Sequence, residues 1–347
     1  MKPRWYRSAR FWLSAITAVL VAAAVIAAWP RMLSAFHSLS AVDPWILALL
    51  VPLQLASFAV TGEVLFSYLR ARGELSGVRP LAAMRMSLEF NFANHMLPSG
   101  GAAGITYTSW KLSTLGVPAS KGTVAQLARL AVTFASFTVV IAVAAGWLIA
   151  AGHGEPVLLW AAAAMAGLAI GTTAAGVLLM RDRRRLHRLA GCLARVANAV
   201  GTRIGRPRLV EPLALVRFFD GLHRELRAII AQPRTLRAPF LWSFLVHALD
   251  AGLFWVALAA FGLYADPALV LVAYGAATVA SIVVVTPNGI GAYELVLIGL
   301  LVSGGLPDAG VIAAVLLARA ILLLGTIVFG WAFYQLSVAK GARATAA

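Results

Sequence analysis

Arg129, Glu294 and Arg319 are charged residues inside otherwise apolar runs. A lipid-facing charge at such depth costs at least a few kcal/mol, so each should face protein, water or a ligand. Arginine suits a phosphate, because its planar guanidinium keeps its charge and offers paired donors. The expected anion is Glu294, Asp250, Glu89 or a substrate phosphate; a structural ion pair with snorkelling is the alternative to a cavity role. A polar stripe adds to these charges. Ser87, Asn91, Asn94 and His95 stand at i, i+4, i+7 and i+8, on one helical face. They either cap the freed backbone of a broken helix or meet a substrate. His95 titrates near neutrality and is the candidate proton shuttle of that face. Ser243, His247 and Asp250 share a face elsewhere, and the His/Asp pair is expected as a buried structural hydrogen bond rather than a proton relay.

The elements that must position these groups occur twice. In the first copy Pro98 is followed by Gly116 and Pro118; in the second Pro287 is followed by Gly305 and Pro307, with the same spacings of 18 and 20 residues. Each copy leads into an apolar helix carrying a Leu-Ala-Arg triplet, Leu127-Ala128-Arg129 and Leu317-Ala318-Arg319, offset by one residue. A broken helix repeated together with its following span predicts a transporter-like architecture, since irregular backbone at membrane depth is kept where it lines a cavity. The half-helix ends at Ser99, Gly100 and Gly101 and at Asn288, Gly289 and Gly291 would then offer backbone N–H groups to an anion. Glu294, one turn past the second break, is favoured there by the helix dipole and placed to pair with an arginine.

Composition sets the class. The chain is 61% apolar and 12% charged over 347 residues, which is the balance of an integral membrane protein. One cysteine excludes an internal disulfide and a cysteine metal cluster. The net charge is +16, and 25 of the 29 bases are arginine. They lie in loops on one side, so the positive-inside rule accounts for them better than a nucleic-acid partner does. No metal site is expected from six scattered histidines, no cofactor is implied, and no H-E-x-x-H, G-x-S-x-G or Walker loop suggests an enzyme.

Full spans are predicted over 11–29, 44–69, 122–150, 157–180, 238–262 and 309–336, each long enough for about 30 Å of hydrocarbon. The first is read as a signal anchor, being longer than the apolar core of a cleaved signal. Two interrupted regions, 80–116 and 268–303, read as a helix, a Pro/Gly break and a shorter helix. Basic loops alternate with nearly uncharged ones if both termini are cytoplasmic and each interrupted region returns to the side it left. Repeat 1 (44–150) and repeat 2 (238–336) then run in opposite senses, joined by a connector over 151–237. The expected fold is thus one all-α polytopic membrane domain: six full transmembrane helices plus two oppositely oriented re-entrant hairpins. Segment 181–237 holds 14 arginines and 4 acids in a broadly amphipathic pattern. It is either a plain cytoplasmic loop or a surface segment lying on anionic lipid.

These residues resemble the transmembrane region of the lysylphosphatidylglycerol synthase/flippase family over nearly the whole chain. Pro287-Asn288-Gly289-Ile290-Gly291-Ala292-Tyr293-Glu294 is similar to that family's P-x-G-x-G-x-x-E motif, and Asn94 to Gly104 is similar to its N-terminal motif. Many members carry Gly-Glu there with a base a few positions on; here Gly104 is followed by Ile105, and the next base is Lys111. The resemblance implies the flippase-like membrane half, without the aminoacyl-transferase domain. The leading expectation is translocation of a membrane lipid or lipid-linked head group between leaflets of the inner membrane. A proton-coupled small-solute transporter and a non-transporting scaffold for cell-envelope enzymes are the alternatives. The substrate-binding set comprises Asn91, Asn94, His95, Ser99, Gly100, Gly101, Arg129, Asn288, Gly289, Gly291, Glu294 and Arg319, with the three charges expected to converge on one cavity.

Overall fold

The computed structural model describes residues 42–96, 102–152, 155–203, 211–283 and 291–344. Its described elements are helices, in chain order α1 (Pro44–Ala48), α2 (Leu50–Ala71), α3 (Pro80–Met96), α4 (Ala102–Thr114), α5 (Ala119–Ala150), α6 (Pro156–Arg181), α7 (Arg183–Arg203), α8 (Pro212–Ala231), a 3₁₀ turn (Pro233–Leu236), α9 (Arg237–Ala260), α10 (Pro267–Val283), α11 (Ala292–Ser303) and α12 (Asp308–Ala344). Four stretches are long and apolar enough to cross a membrane: Pro44–Ala71, Ala119–Ala150, Pro233–Ala260 and Asp308–Gly330. They coincide with four of the six predicted spans. The first predicted span lies outside the described residues. The one over 157–180 falls in α6, whose Pro156–Gly171 stretch is a shorter apolar helix.

Both interrupted regions are helix pairs. α3 ends at Met96 and α4 begins at Ala102; α10 ends at Val283 and α11 begins at Ala292. The repeated glycines close both pairs in the same way. Gly116 and Gly305 have φ of 85° and 92°, a conformation that costs glycine little. The chain turns back there through Val117 N–H to the Leu112 carbonyl at 3.0 Å and Leu306 N–H to the Leu301 carbonyl at 3.3 Å. The proline that follows each glycine by two residues then opens the next helix, where its missing N–H costs nothing. So the repeated Gly-x-Pro is a stop-and-restart signal between a broken pair and its long span.

The two copies pack on each other as well as on themselves. α2 packs along α9. α3 packs against α12, and α10 against α5, so each broken pair rests on the long span of the other copy. Exchanging the copies maps each of these contacts onto another that is present. Glycine permits both crosswise approaches. A Cβ on Gly330 would lie 2.6 Å from Phe92 Cβ, and one on Gly275 would lie 2.8 Å from Phe137 Cζ and from Ile141 Cδ1. Small residues at helix crossings are how membrane helices come close without a hydrophobic driving force. The main core runs through Leu258, Val272, Ala273, Leu297, Leu301 and Val315. A smaller one gathers Phe66, Leu69, Ala83 and Leu112 under the first pair. Large apolar side chains such as Leu81, Val143, Trp147, Trp160 and Ile170 stay exposed, as a surface facing lipid rather than water requires.

α7 and α8 form an antiparallel pair whose apolar faces meet. Leu186 and Ala190 pack on Phe219, Leu222 and Leu226, and Val124 of α5 joins them. Those side chains therefore cover each other, while Leu193 and Val196 remain exposed. Asp220 ties the pair together. It accepts from Arg183 Nε at 2.7 Å and Nη2 at 3.0 Å, and His187 Nε2 lies 2.8 Å away. The Arg183 bonds, then the His187 bond, hold this carboxyl far below its usual range. A depressed carboxyl contributes stability above the ordinary aspartate value of about 4, and loses it as pH falls through the folded value. Asp220→Asn should thus speed amide exchange in α7 at pH 7. Its difference from the wild type should shrink as the pH falls below about 4. Unchanged exchange at pH 7 would mean that apolar contacts alone hold the pair.

Candidate functional site

The second broken pair builds its charge site from its own turn. Gly291, at φ 95°, is the N-cap of α11, a backbone shape that favours glycine. Glu294 sits three residues on and accepts the Gly291 N–H at 2.6 Å. Its other oxygen accepts from Arg319 Nε of α12 at 2.8 Å, and both side chains are largely buried. The Arg319 guanidinium also lies 4.2 Å from the Tyr293 ring centre. One carboxylate thus caps a helix, neutralises a cation and fixes that cation over an aromatic face. The expected pairing of Glu294 with an arginine is present.

Arg319 faces a cavity of about 180 Å³ between the two copies. That is room for several waters. α2 lends it Gln54, Ser57, Phe58 and Thr61; α3 lends Asn91; α9 lends Asp250, Leu253 and Phe254. Tyr274, Tyr293 and the α12 residues Arg319, Leu322, Leu323 and Thr326 complete the lining. Asp250 accepts hydrogen bonds from Ser57 Oγ and, at 3.1 Å, from Tyr274 OH. Gln54 Nε2 donates to the Leu322 carbonyl at 2.6 Å and to Thr326 Oγ1 at 3.1 Å. Asn91 Nδ2 donates to the Ser87 carbonyl at 2.9 Å. The cavity therefore carries a cation and a carboxylate that do not pair with each other, on walls that mix amide and hydroxyl side chains with aromatic and aliphatic ones. Arg319 lies 11 residues into α12, which at 1.5 Å per residue is about 17 Å from its start and near the middle of a 30 Å core.

The three charges do not converge. Arg129 is partly buried on α5, and its Cζ lies 4.4 Å from the Phe90 ring centre. It lines a separate, much smaller cavity with Ser87, Phe90 and Thr108. Thr61 borders both spaces. The reason is the position of the carboxylate in each pair. Glu294 follows its break, whereas the first pair has Glu89 before its break. Glu89 is 1% exposed and already engaged by Arg85 Nε at 3.0 Å, Tyr107 OH at 2.5 Å and Lys111 Nζ at 3.7 Å. So Glu89 supplies the carboxylate beside Lys111. Gln126, on the face of Arg129, is used structurally: it donates to the Ile105 carbonyl at 3.2 Å and Ser109 Oγ at 2.8 Å.

His247 and Asp250 do not pair either. His247 Nε2 turns toward α5, 3.1 Å from the Thr133 carbonyl and 3.2 Å from Ser136 Oγ, while Asp250 turns toward α2 and α10. Of the predicted binding set, Asn91 and Arg319 line the larger cavity, and Glu294 and Gly291 hold Arg319 in place from behind. Ser99, Gly100, Gly101, Asn288 and Gly289, with the side chains of Asn94 and His95, lie outside the described residues. The polar side chains of α2 went unrecognised in the sequence. Gln54, Ser57 and Thr61 stand at i, i+3 and i+7 in an apolar span, the same stripe signal that singled out Ser87 to His95.

Long apolar helices, outward-facing aliphatic side chains and a buried ionic cavity define a multi-pass α-helical membrane protein. The chain belongs to the family described as the lysylphosphatidylglycerol synthase TM region, whose model matches residues 10–330. No curated protein and no solved structure matches it.

Proposed function

We propose that this protein moves a lipid, or a lipid-linked head group, between the leaflets of a bacterial inner membrane. One observation carries the reading: a polar cavity walled by both sequence copies holds Arg319 and Asp250 unpaired with each other, at a depth that helix length puts near mid-membrane. Ionised groups at such depth are costly and are kept where a pathway needs them. A phospholipid head group supplies a phosphate for the arginine and, in zwitterionic or aminoacylated lipids, a cation for the carboxylate. Membership of a lipid-associated membrane family agrees with this. We take the protein as a transporter and not an enzyme.

The mechanism follows from the two copies. Span, broken pair and span recur as α2, α3–α4 and α5, then as α9, α10–α11 and α12. We read them as inverted repeats with two re-entrant hairpins, both termini cytoplasmic, the latter from the loop charges. The crosswise packing supports this, since it is the pattern a two-fold relation between copies generates. Rocking of one copy against the other about the α2–α9 contact would open the cavity to alternate leaflets. The arginine-rich α7–α8 pair would lie along anionic lipid at the cytoplasmic face.

Asp250 supports a second reading, a proton-coupled transporter of small solutes. Its hydrogen-bond donors are the hydroxyls of Ser57 and Tyr274, and a carboxylate held this way is able to take up a proton. Vesicles reconstituted with the protein separate the two. Transfer of a head-group-labelled phospholipid should exceed that of protein-free vesicles at equal pH on both sides. Lipid transfer at the protein-free rate, together with solute uptake driven by a pH gradient, would replace the first reading by the second.

A further inference from the structure

The Arg129 pocket is a site of a different kind from the Arg319 cavity. Arg319 has its counter-charge in Glu294 at 2.8 Å. Among the described residues no carboxylate pairs with Arg129; its contact is the Phe90 ring. Ten residues into α5, it lies about 15 Å from the start of that helix, the depth at which an uncompensated charge is most costly. Two further groups face the same space without partners. Ser87 Oγ and Thr108 Oγ1 make no hydrogen bond among the described residues, although Ser87 is 6% and Thr108 2% exposed. A buried hydroxyl left unpaired costs about 1–3 kcal/mol, so two beside a bare guanidinium are expected only where something else completes them. All three groups are able to donate hydrogen bonds. The pocket measures about 10 Å³, the space of one water-sized atom. A water would satisfy the hydroxyls but leave the charge; an anionic oxygen answers both.

We infer that Arg129, Ser87 and Thr108 form an anion site that takes one oxygen of a phosphate or phosphodiester, distinct from the Arg319 cavity. The remainder of the anion lies outside the pocket, because there is no room for it within. Across the Thr61 wall this puts an anion holder on the first copy, beside the ion-paired arginine of the second. The inference needs no transport step and stands apart from the translocation reading.

The test uses full-length protein in neutral detergent, with dihexanoylphosphatidylglycerol, inorganic phosphate and neutral dihexanoylglycerol as probes, and native mass spectrometry as the readout. Phosphatidylglycerol should bind the wild type, and Arg129→Gln or the shape-conserving pair Ser87→Ala/Thr108→Val should weaken it at least about tenfold, the worth of one charge-assisted hydrogen bond. The neutral glyceride should not distinguish the variants. Displacement by inorganic phosphate assigns the site to a free anion; failure to displace assigns it to a lipid head group. Ligand-free Arg129→Gln should also melt higher than the wild type, since a cation without a counter-charge has been removed. Equal phosphatidylglycerol binding by wild type and both variants, or a lower melting point for Arg129→Gln, overturns the site. Arg129-dependent binding without lipid transfer in vesicles would leave the site standing and remove the translocation reading; transfer without such binding would do the reverse.

Discussion

Glu294→Gln is expected to lower both the stability of the protein and, more strongly, its lipid transfer per folded molecule. The carboxylate does two jobs at once: it accepts the Gly291 N–H at 2.6 Å and neutralises Arg319 at 2.8 Å. Glutamine keeps an acceptor for one of them but carries no charge. Breaking a buried ion pair from one side costs about 3–5 kcal/mol, because the surviving charge is left uncompensated. Here that charge borders the cavity, so the freed guanidinium is expected to swing from the Tyr293 ring and bind a phosphate too tightly to release it. The double variant Glu294→Gln/Arg319→Gln removes both charges and should regain part of the lost stability while transfer stays low. Thermal unfolding in detergent and transfer normalised to folded protein separate the effects. Equal per-molecule rates for wild type and Glu294→Gln would leave Glu294 as a structural ion-pair member alone.

The same pair shows how far the sequence could be read. The broken pairs, their Gly-x-Pro closures and the four described long spans were legible, because proline and glycine spacing reports backbone geometry directly. The Glu294–Arg319 contact was legible too, since a first-turn carboxylate at depth has few ways to be satisfied. What misled was the repetition itself. Two identical Leu-Ala-Arg triplets suggested two equivalent arginines, yet Glu294 follows its break and Glu89 precedes its own. Repetition of the arginines therefore did not repeat their counter-charge. His247 and Asp250 failed for a geometric reason. Residues at i and i+3 differ by about 60° around a helix axis, enough for neighbours on different sides to claim them. The α2 stripe is legible as a polar face but not by its partners: Asp250, Leu322 and Thr326 lie in the other copy, some 190 to 270 residues away.

Asp250→Asn tests what the cavity selects. The carboxylate accepts from Ser57 Oγ on one oxygen and from Tyr274 OH on the other. An asparagine accepts from one hydroxyl and is able to donate its amide to the oxygen of the other, so at most about one hydrogen bond, roughly 1 kcal/mol, is lost and the fold should survive. The charge, however, is gone, and with it the group that would hold a cationic head. Removing a charge-assisted bond of about 1.5–3 kcal/mol lowers binding of its partner about ten- to a hundredfold. Transfer of lipids with a cationic amine in the head group should therefore fall by at least about tenfold, while a purely anionic phospholipid should be moved at nearly the wild-type rate. Vesicles carrying the two lipid classes in turn give the comparison. If Asp250 instead carries protons for coupling, the variant would lose both classes alike and its residual rate would no longer respond to a pH gradient. If neither class is affected, Asp250 merely holds α2 and α10 to α9 through two hydroxyls, and head-group selection falls to Arg319.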